Sequence, residues 1–90
     1  MNDLESDTLR LDKFLVYARF CKTRSVAETL VEKGAVRINR QPTDKPHAKL
    51  RPGDVLTLAL PHGIKVVEIL NLPARRGSAT LAQELYREIQ

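Results

Sequence analysis

The stretch Arg10-Leu11-Asp12-Lys13-Phe14-Leu15-Val16-Tyr17-Ala18-Arg19-Phe20-Cys21-Lys22-Thr23-Arg24-Ser25 holds one helix, a tight connection and the start of a second helix. Leu11, Phe14, Leu15 and Ala18 recur at i, i+3, i+4 and i+7, which predicts an amphipathic helix over roughly 10–20. At about 100° per residue, Arg10, Lys13 and Tyr17 fall on one flank of that stripe, and Asp12 and Arg19 on the other. Ala27, Leu30 and Val31 give the stripe of a second helix over roughly 24–33. Thr23 or Ser25 is a natural N-cap for it, and Ser25 with Glu28 fits a capping box. Gly34 stands where a helix C-terminus favours glycine. The connection Cys21-Lys22-Thr23 is short, so the two helices pack as a close pair.

Downstream of Gly34 the period changes. Ala35–Asn39 alternates apolar and polar and reads as a strand. Residues 40–49 form a polar connection with two prolines, and Arg51-Pro52-Gly53-Asp54 carries a type II turn signal. Val55–Leu60 and Ile64–Leu72 read as a hairpin about Pro61-His62-Gly63. Leu81, Leu85 and Ile89, with Thr80 and Gln83 as a capping box, predict a helix over about 79–89. The predicted architecture is α+β: a helix pair, a small mainly antiparallel sheet and a C-terminal helix. Its parts are an acidic tail at 1–9, a domain over 10–72 and a helical extension over 73–90.

Ninety residues suit one small domain. The net charge of +4 is too small to name a partner, but it is unevenly spread. Residues 1–9 carry −3, residues 52–90 are neutral, and residues 10–51 hold eleven Lys and Arg against four acids, net +7. Lys22 and Arg24 stand at the start of the second helix, where free N–H groups and a partial positive charge favour acids instead. An anion reverses the sign of that cost. The helix N-terminus, the Thr23 and Ser25 hydroxyls and the nearby cations therefore fit a phosphate. The plain alternative is that the hydroxyls only cap the helix and the cations are only solvated. Arg10, Lys13 and Arg19 extend the patch along the first helix, Arg37, Asn39 and Arg40 along the first strand and its turn, and Lys45 and Lys49 along the connection. A run of this length fits nucleic acid better than one phosphometabolite. Asp12, inside the patch, fits the positioning of Arg10 or Arg19 rather than catalysis.

These residues resemble a family. Arg10-Leu11-Asp12-Lys13-Phe14-Leu15, Ala18-Arg19, Lys22-Thr23-Arg24-Ser25-x-Ala27, Gly34-x-Val36-x-Ile38-Asn39, Lys45-Pro46 and Pro52-Gly53-Asp54 are similar, in order and spacing, to the S4-type RNA-binding domain (the alpha-L fold). Arg75-Arg76 and Leu85-Tyr86-x-Glu88 resemble its stand-alone members, the fifteen-kilodalton heat-shock group and the ribosome quality-control factor of Gram-positive bacteria. The resemblance implies a non-enzymatic protein that binds ribosomal RNA and tRNA on stalled large ribosomal subunits carrying peptidyl-tRNA. By motif position it implies RNA contacts at Arg10, Arg19, Lys22, Thr23, Arg24, Ser25 and Asn39. The chain departs from the family in two ways. Arg40 replaces the glycine that often follows Asn39, and no counterpart of the heat-shock group's basic C-terminal extension is expected.

Other classes find little support. One cysteine excludes an internal disulfide, and Cys21 reads as a small packed hydrophobe. His47 and His62 stand apart in loops, without zinc-site spacing, and the four glycines make no phosphate loop. No cofactor, metal site or catalytic residue is expected. The polar N-terminus has no apolar segment of a signal peptide, and no apolar run reaches the ~18 residues of a membrane span. The expectation is a cytoplasmic protein, monomeric when free and not membrane-bound. Two other readings compete: a helix-turn-helix DNA-binding protein, and an accessory RNA-binding subunit of an RNA-modifying enzyme. Against the first, the exposed face of the second helix offers Glu28, Thr29 and Glu32, two of them acids.

Overall fold

The computed structural model describes residues 8–73 and 79–89. In chain order the elements are β1 (Leu9–Arg10), α1 (Leu11–Tyr17), α2 (Arg24–Glu32), β2 (Val36–Ile38), β3 (Gln41–Thr43), β4 (Lys49–Leu50), β5 (Val55–Leu60), β6 (Gly63–Ile69), α3 (Ala79–Gln83) and β7 (Tyr86–Glu88). An antiparallel sheet has the strand order β3-β2-β5-β6-β7, and β1 pairs with β4 as a separate ribbon. The architecture is α+β, as the sequence predicts.

The α1–α2 pair packs on one face of the sheet. Leu11, Phe14, Leu15, Ala27, Leu30 and Val31 from the helices share one buried core with Val36, Leu56, Leu58, Val67 and Ile69 from the strands. Both helices end in the same way, through a residue in the left-handed region. At α2 that residue is Gly34 (φ +85°), with Gly34 N–H donating to Val31 and Ala35 N–H to Leu30. At α1 it is Arg19 (φ +66°), with Arg19 N–H donating to Val16 and Phe20 N–H to Leu15.

Several elements differ from the sequence reading. The polar connection 40–49 contains the short strand β3 and the first residue of β4. Leu9, placed by the sequence in a tail, pairs with Leu50. Residues 1–7 of that tail lie outside the described residues. Thr23, not Ser25, caps α2: its Oγ1 accepts from the Val26 N–H at 3.2 Å, and Glu28 lies 3.7 Å from Arg24 instead of closing a capping box.

The largest difference is at the C-terminus. The predicted helix over 79–89 stops at Gln83, and Tyr86–Glu88 joins the sheet beside β6. The carbonyl of Leu85 accepts from the N–H groups of Leu70 and Asn71, and that of Glu84 accepts from the Asn71 side chain, so the chain leaves the helix there. The four-residue spacing of Leu81, Leu85 and Ile89 is not a helix face. Leu85 is buried, while Leu81 and Ile89 are 54% and 50% exposed. The Tyr86 ring packs on Phe20, with centroids 4.8 Å apart, which ties β7 to the α1–α2 connection.

Candidate nucleic-acid interface

The surface starts where β1 runs into α1. Arg10 is the N-cap of α1 but has extended backbone (φ −62°, ψ 143°) and makes no side-chain cap. The Lys45–Ala48 turn supplies the cap. Leu11 N–H donates to the Ala48 carbonyl (2.8 Å), Asp12 N–H to the Pro46 carbonyl (3.0 Å) and Ala48 N–H to the Lys45 carbonyl (3.0 Å). Across the β1–β4 ribbon Arg10 faces Lys49. The Lys45-Pro46 motif is thus locked over the start of α1, with Lys45 itself exposed and its Nζ 3.9 Å from Asp44.

Asp12 is fully buried and still charged, because its carboxylate is completely bonded. Arg10 grips it side-on, Nε to Oδ1 at 3.1 Å and Nη2 to Oδ2 at 2.9 Å. Arg24, from α2, donates its Nε to the same Oδ2 at 3.1 Å, and the Lys13 N–H donates to Oδ1 at 2.8 Å. Burial alone pushes the carboxyl pKa up. The hydrogen bonds and positive charges of Arg10 and Arg24 outweigh that and hold it below the ordinary aspartate value. A helical wheel separates Arg10 from Asp12. The two meet because Arg10 precedes the helix and its extended backbone swings the side chain across. The sequence pointed to Arg10 or Arg19 as partners of Asp12; the second guanidinium on the carboxylate is that of Arg24, twelve residues away.

Beyond Arg24 the start of α2 is open. Arg19, Lys22, Thr23, Arg24 and Ser25 are all exposed, and the first turn of the helix contains no acid. Lys13 is half-buried on α1. A groove of about 540 Å³ continues along α2, between Phe20, Lys22, Val26 and Lys33 on one side and Leu60 and Pro61 on the other. Cys21 is buried at its base, and burial pushes its thiol pKa up, in keeping with a packing role.

Three sequence-predicted residues lie elsewhere. Val36 and Ile38 point to the core, so Arg37 points to the outer face of the sheet, beside Thr57, Ala59 and Ile64 and away from the helix pair. It therefore does not continue the patch of the helix pair, as the sequence reading had it do. Asn39 and Arg40 form the two-residue β2–β3 turn, both in the left-handed region (φ +51° and +72°), the signature of a type I′ hairpin. Arg40 opens onto the outer sheet face beside Val66 and Ile89. The Asn39 side chain is occupied in holding this turn: its Nδ2 donates to Asp54 (3.0 Å) and its Oδ1 accepts from the Val55 N–H (2.9 Å). Lys49, which the sequence places only on a loop, joins the surface through strand pairing that no local signal reveals. Arg75 and Arg76 lie outside the described residues. Among the described residues, no group of three or more His, Cys, Asp or Glu is arranged to hold a metal ion, and no helix is long and apolar enough to cross a membrane.

A capped helix pair on an antiparallel sheet, with cations gathered at the helix starts, defines a known class. Residues 9–56 match the S4 domain, and the chain belongs to that family. Within it, the chain is similar to the heat shock protein 15 homolog of Aeromonas salmonicida: 39% identical over 90 residues, covering 99% of this chain and 67% of that protein. It is also similar to the RQC P-site tRNA stabilizing factor of Listeria monocytogenes: 35% identical over 85 residues, covering 90% of this chain and 89% of that one. Among solved structures, a trimeric structure of Vibrio cholerae heat shock protein 15 superposes with a TM-score of 0.84 at 43% identity, covering 90% of this chain and 81% of that chain. The chain spans about two thirds of the length of the Aeromonas relative.

Proposed function

We propose that this chain is a non-enzymatic RNA-binding protein of the ribosome, acting in the cytoplasm on stalled large subunits that carry peptidyl-tRNA. The observation that carries this reading is the exposed start of α2, where Lys22 and Arg24 flank a Thr23-capped helix N-terminus with no acid in its first turn. Such a terminus is favourable for anions; Asp12 and Glu28 meet Arg24 only at its Nε, which leaves its remaining donors and Lys22 for an outside anion. Arg10, Lys13, Arg19 and Ser25 extend it into a surface long enough for several phosphates, with Lys45 on the turn over α1. Arg37 and Arg40 form a second, smaller cationic area on the outer sheet face. The relatives support the setting, since one of them is named for stabilizing P-site tRNA. The acids of α2, and the pairing of Glu28 with Arg24, speak against α2 as a DNA-reading helix.

The test is a sucrose gradient of lysate taken after translational stress, at low salt. The protein is expected to migrate with free large subunits, and the Lys22→Ala/Arg24→Ala double variant to lose about tenfold or more of that binding while staying folded. Wild-type protein found only at the top of the gradient overturns the reading. A DNA duplex that outcompetes structured RNA would replace it with the helix-turn-helix alternative. We take the free chain to be a monomer, which sedimentation equilibrium checks against the trimer reported for the Vibrio relative.

A further inference from the structure

Asp12 presents a contradiction in a surface built for a polyanion. It is a fully buried, charged carboxylate placed between two of the cations that define the surface. By charge alone it should weaken the binding of nucleic acid. We propose that Asp12 is a positioning residue that strengthens RNA binding, by locking Arg10 and Arg24 into one preset phosphate clamp. The proposal rests on the RNA-binding reading above and deepens it.

The geometry carries the argument. A free arginine side chain samples many rotamers and gives up rotamer entropy when it is fixed. Here part of that ordering is in place before a ligand arrives, two bonds holding Arg10 and one holding Arg24. The two guanidiniums come from different elements, one preceding α1 and one opening α2, yet they meet on a single oxygen, Asp12 Oδ2. Each guanidinium has five N–H donors. Asp12 takes two from Arg10 and one from Arg24, so both retain donors for an outside acceptor. Both side chains remain partly exposed, at 38% and 48%. Asp12 itself is anchored by the Lys13 N–H on its other oxygen, and its own N–H is held by Pro46. A carboxylate that orients a ligating side chain from behind, without touching the ligand, is the arrangement by which binding groups are preorganised.

The test uses the full chain and bulk tRNA as the probe, with affinity read by anisotropy over a series of salt concentrations and folding read by circular dichroism. Asp12→Asn adds one unit of positive charge. The clamp predicts at least fivefold weaker binding despite that charge, and a log K versus log salt slope shallower by about one phosphate contact. Arg24→Ala in the Asp12→Asn background is expected to cost far less than in wild type, since the two act as one unit. Arg24→Lys keeps the charge but not the fork, sits on the surface, and is expected to bind as weakly as Arg24→Ala. A folded Asp12→Asn variant that binds as tightly as wild type, or tighter, overturns the proposal and leaves the RNA reading intact. If Asp12→Asn does not fold, wild-type affinity in Arg24→Lys overturns it equally. Wild-type protein that fails to bind tRNA at any salt overturns this proposal, while the RNA reading stands or falls on the ribosome gradient.

Discussion

Arg40 occupies a position that glycine would hold without strain. Its φ of +72° lies in the left-handed region, where a side chain costs roughly 1–2 kcal/mol, and Asn-Gly is the preferred pair for this turn. Arg40→Gly is therefore expected to stabilise the fold by about 0.5–1 kcal/mol, after the extra chain entropy that glycine loses on folding. The same substitution is expected to weaken RNA binding, because it removes a cation. Opposite signs in denaturant unfolding and in RNA titration identify a residue kept for function, whereas a loss of stability shows that the side chain supports the turn. Asp12 makes a second prediction at this scale. Its pKa is lower in the folded protein than in the unfolded chain, so the carboxylate contributes stability above the ordinary aspartate range and loses it as pH falls through the lowered value. Wild type should exceed Asp12→Asn in stability by a constant margin from pH 5 to 8, and that margin should shrink below about pH 4. Unfolding curves across pH decide this, and a margin that grows on acidification contradicts the assignment. The Asp12–Arg10 pair was half legible, since a carboxylate two residues from an arginine in a basic run is visible in sequence. Arg24 was not, because only helix packing brings residue 24 to residue 12.

Two elements separate competing readings of the same residues. At the start of α2, Thr23 accepts from the Val26 N–H and stabilises the helix whatever else it does. Thr23→Asp retains a good cap and adds a charge that the helix dipole favours, so unfolding stability should stay within about 0.5 kcal/mol. The new carboxylate should repel RNA phosphates, and affinity should fall severalfold. Unchanged affinity would mean that this helix end is only capped and not used. At the C-terminus, β7 and a continuing helix make different demands on Leu85 and Ile89. With β7 in the sheet, Leu85→Ala is expected to cost about 2–4 kcal/mol, and Ile89→Ala, half exposed, under about 1 kcal/mol. Similar costs at both positions, measured by thermal unfolding, would restore the helix. The i, i+4 pattern misled here because a three-residue strand gives no periodic signal, and the helix is stopped by a distant segment, through the N–H groups of Leu70 and Asn71 and the Asn71 side chain. The long elements behaved otherwise. The stripes of α1 and α2 and the strand β5 carry enough apolar repeats to be read directly.

At the scale of the whole molecule, the uneven charge becomes a placed one. Within the +7 of residues 10–51, Arg10, Lys22 and Arg24 lie at the helix starts and Arg37 and Arg40 on the outer face of the sheet, while Lys33 ends α2. If RNA engages the helix starts, log K should fall linearly with log salt, by about 0.7–0.9 per phosphate neutralised, and substitutions at Lys22 and Arg24 should lower that slope more than Arg37→Ala does. Equal effects from both faces would point to RNA wrapping the sheet as well. The sequence by itself determined the helix pair, the main hairpin, the Pro52-Gly53 turn and the cationic start of α2, because each rests on interactions between residues close in the chain. Only the tertiary structure decided the β1–β4 ribbon, the fifth strand β7, the outward aim of Arg37 and the joining of Arg10 and Arg24 on Asp12. Each of these depends on which distant segment supplies a hydrogen-bond partner or closes the core, and no local pattern of side chains encodes that choice.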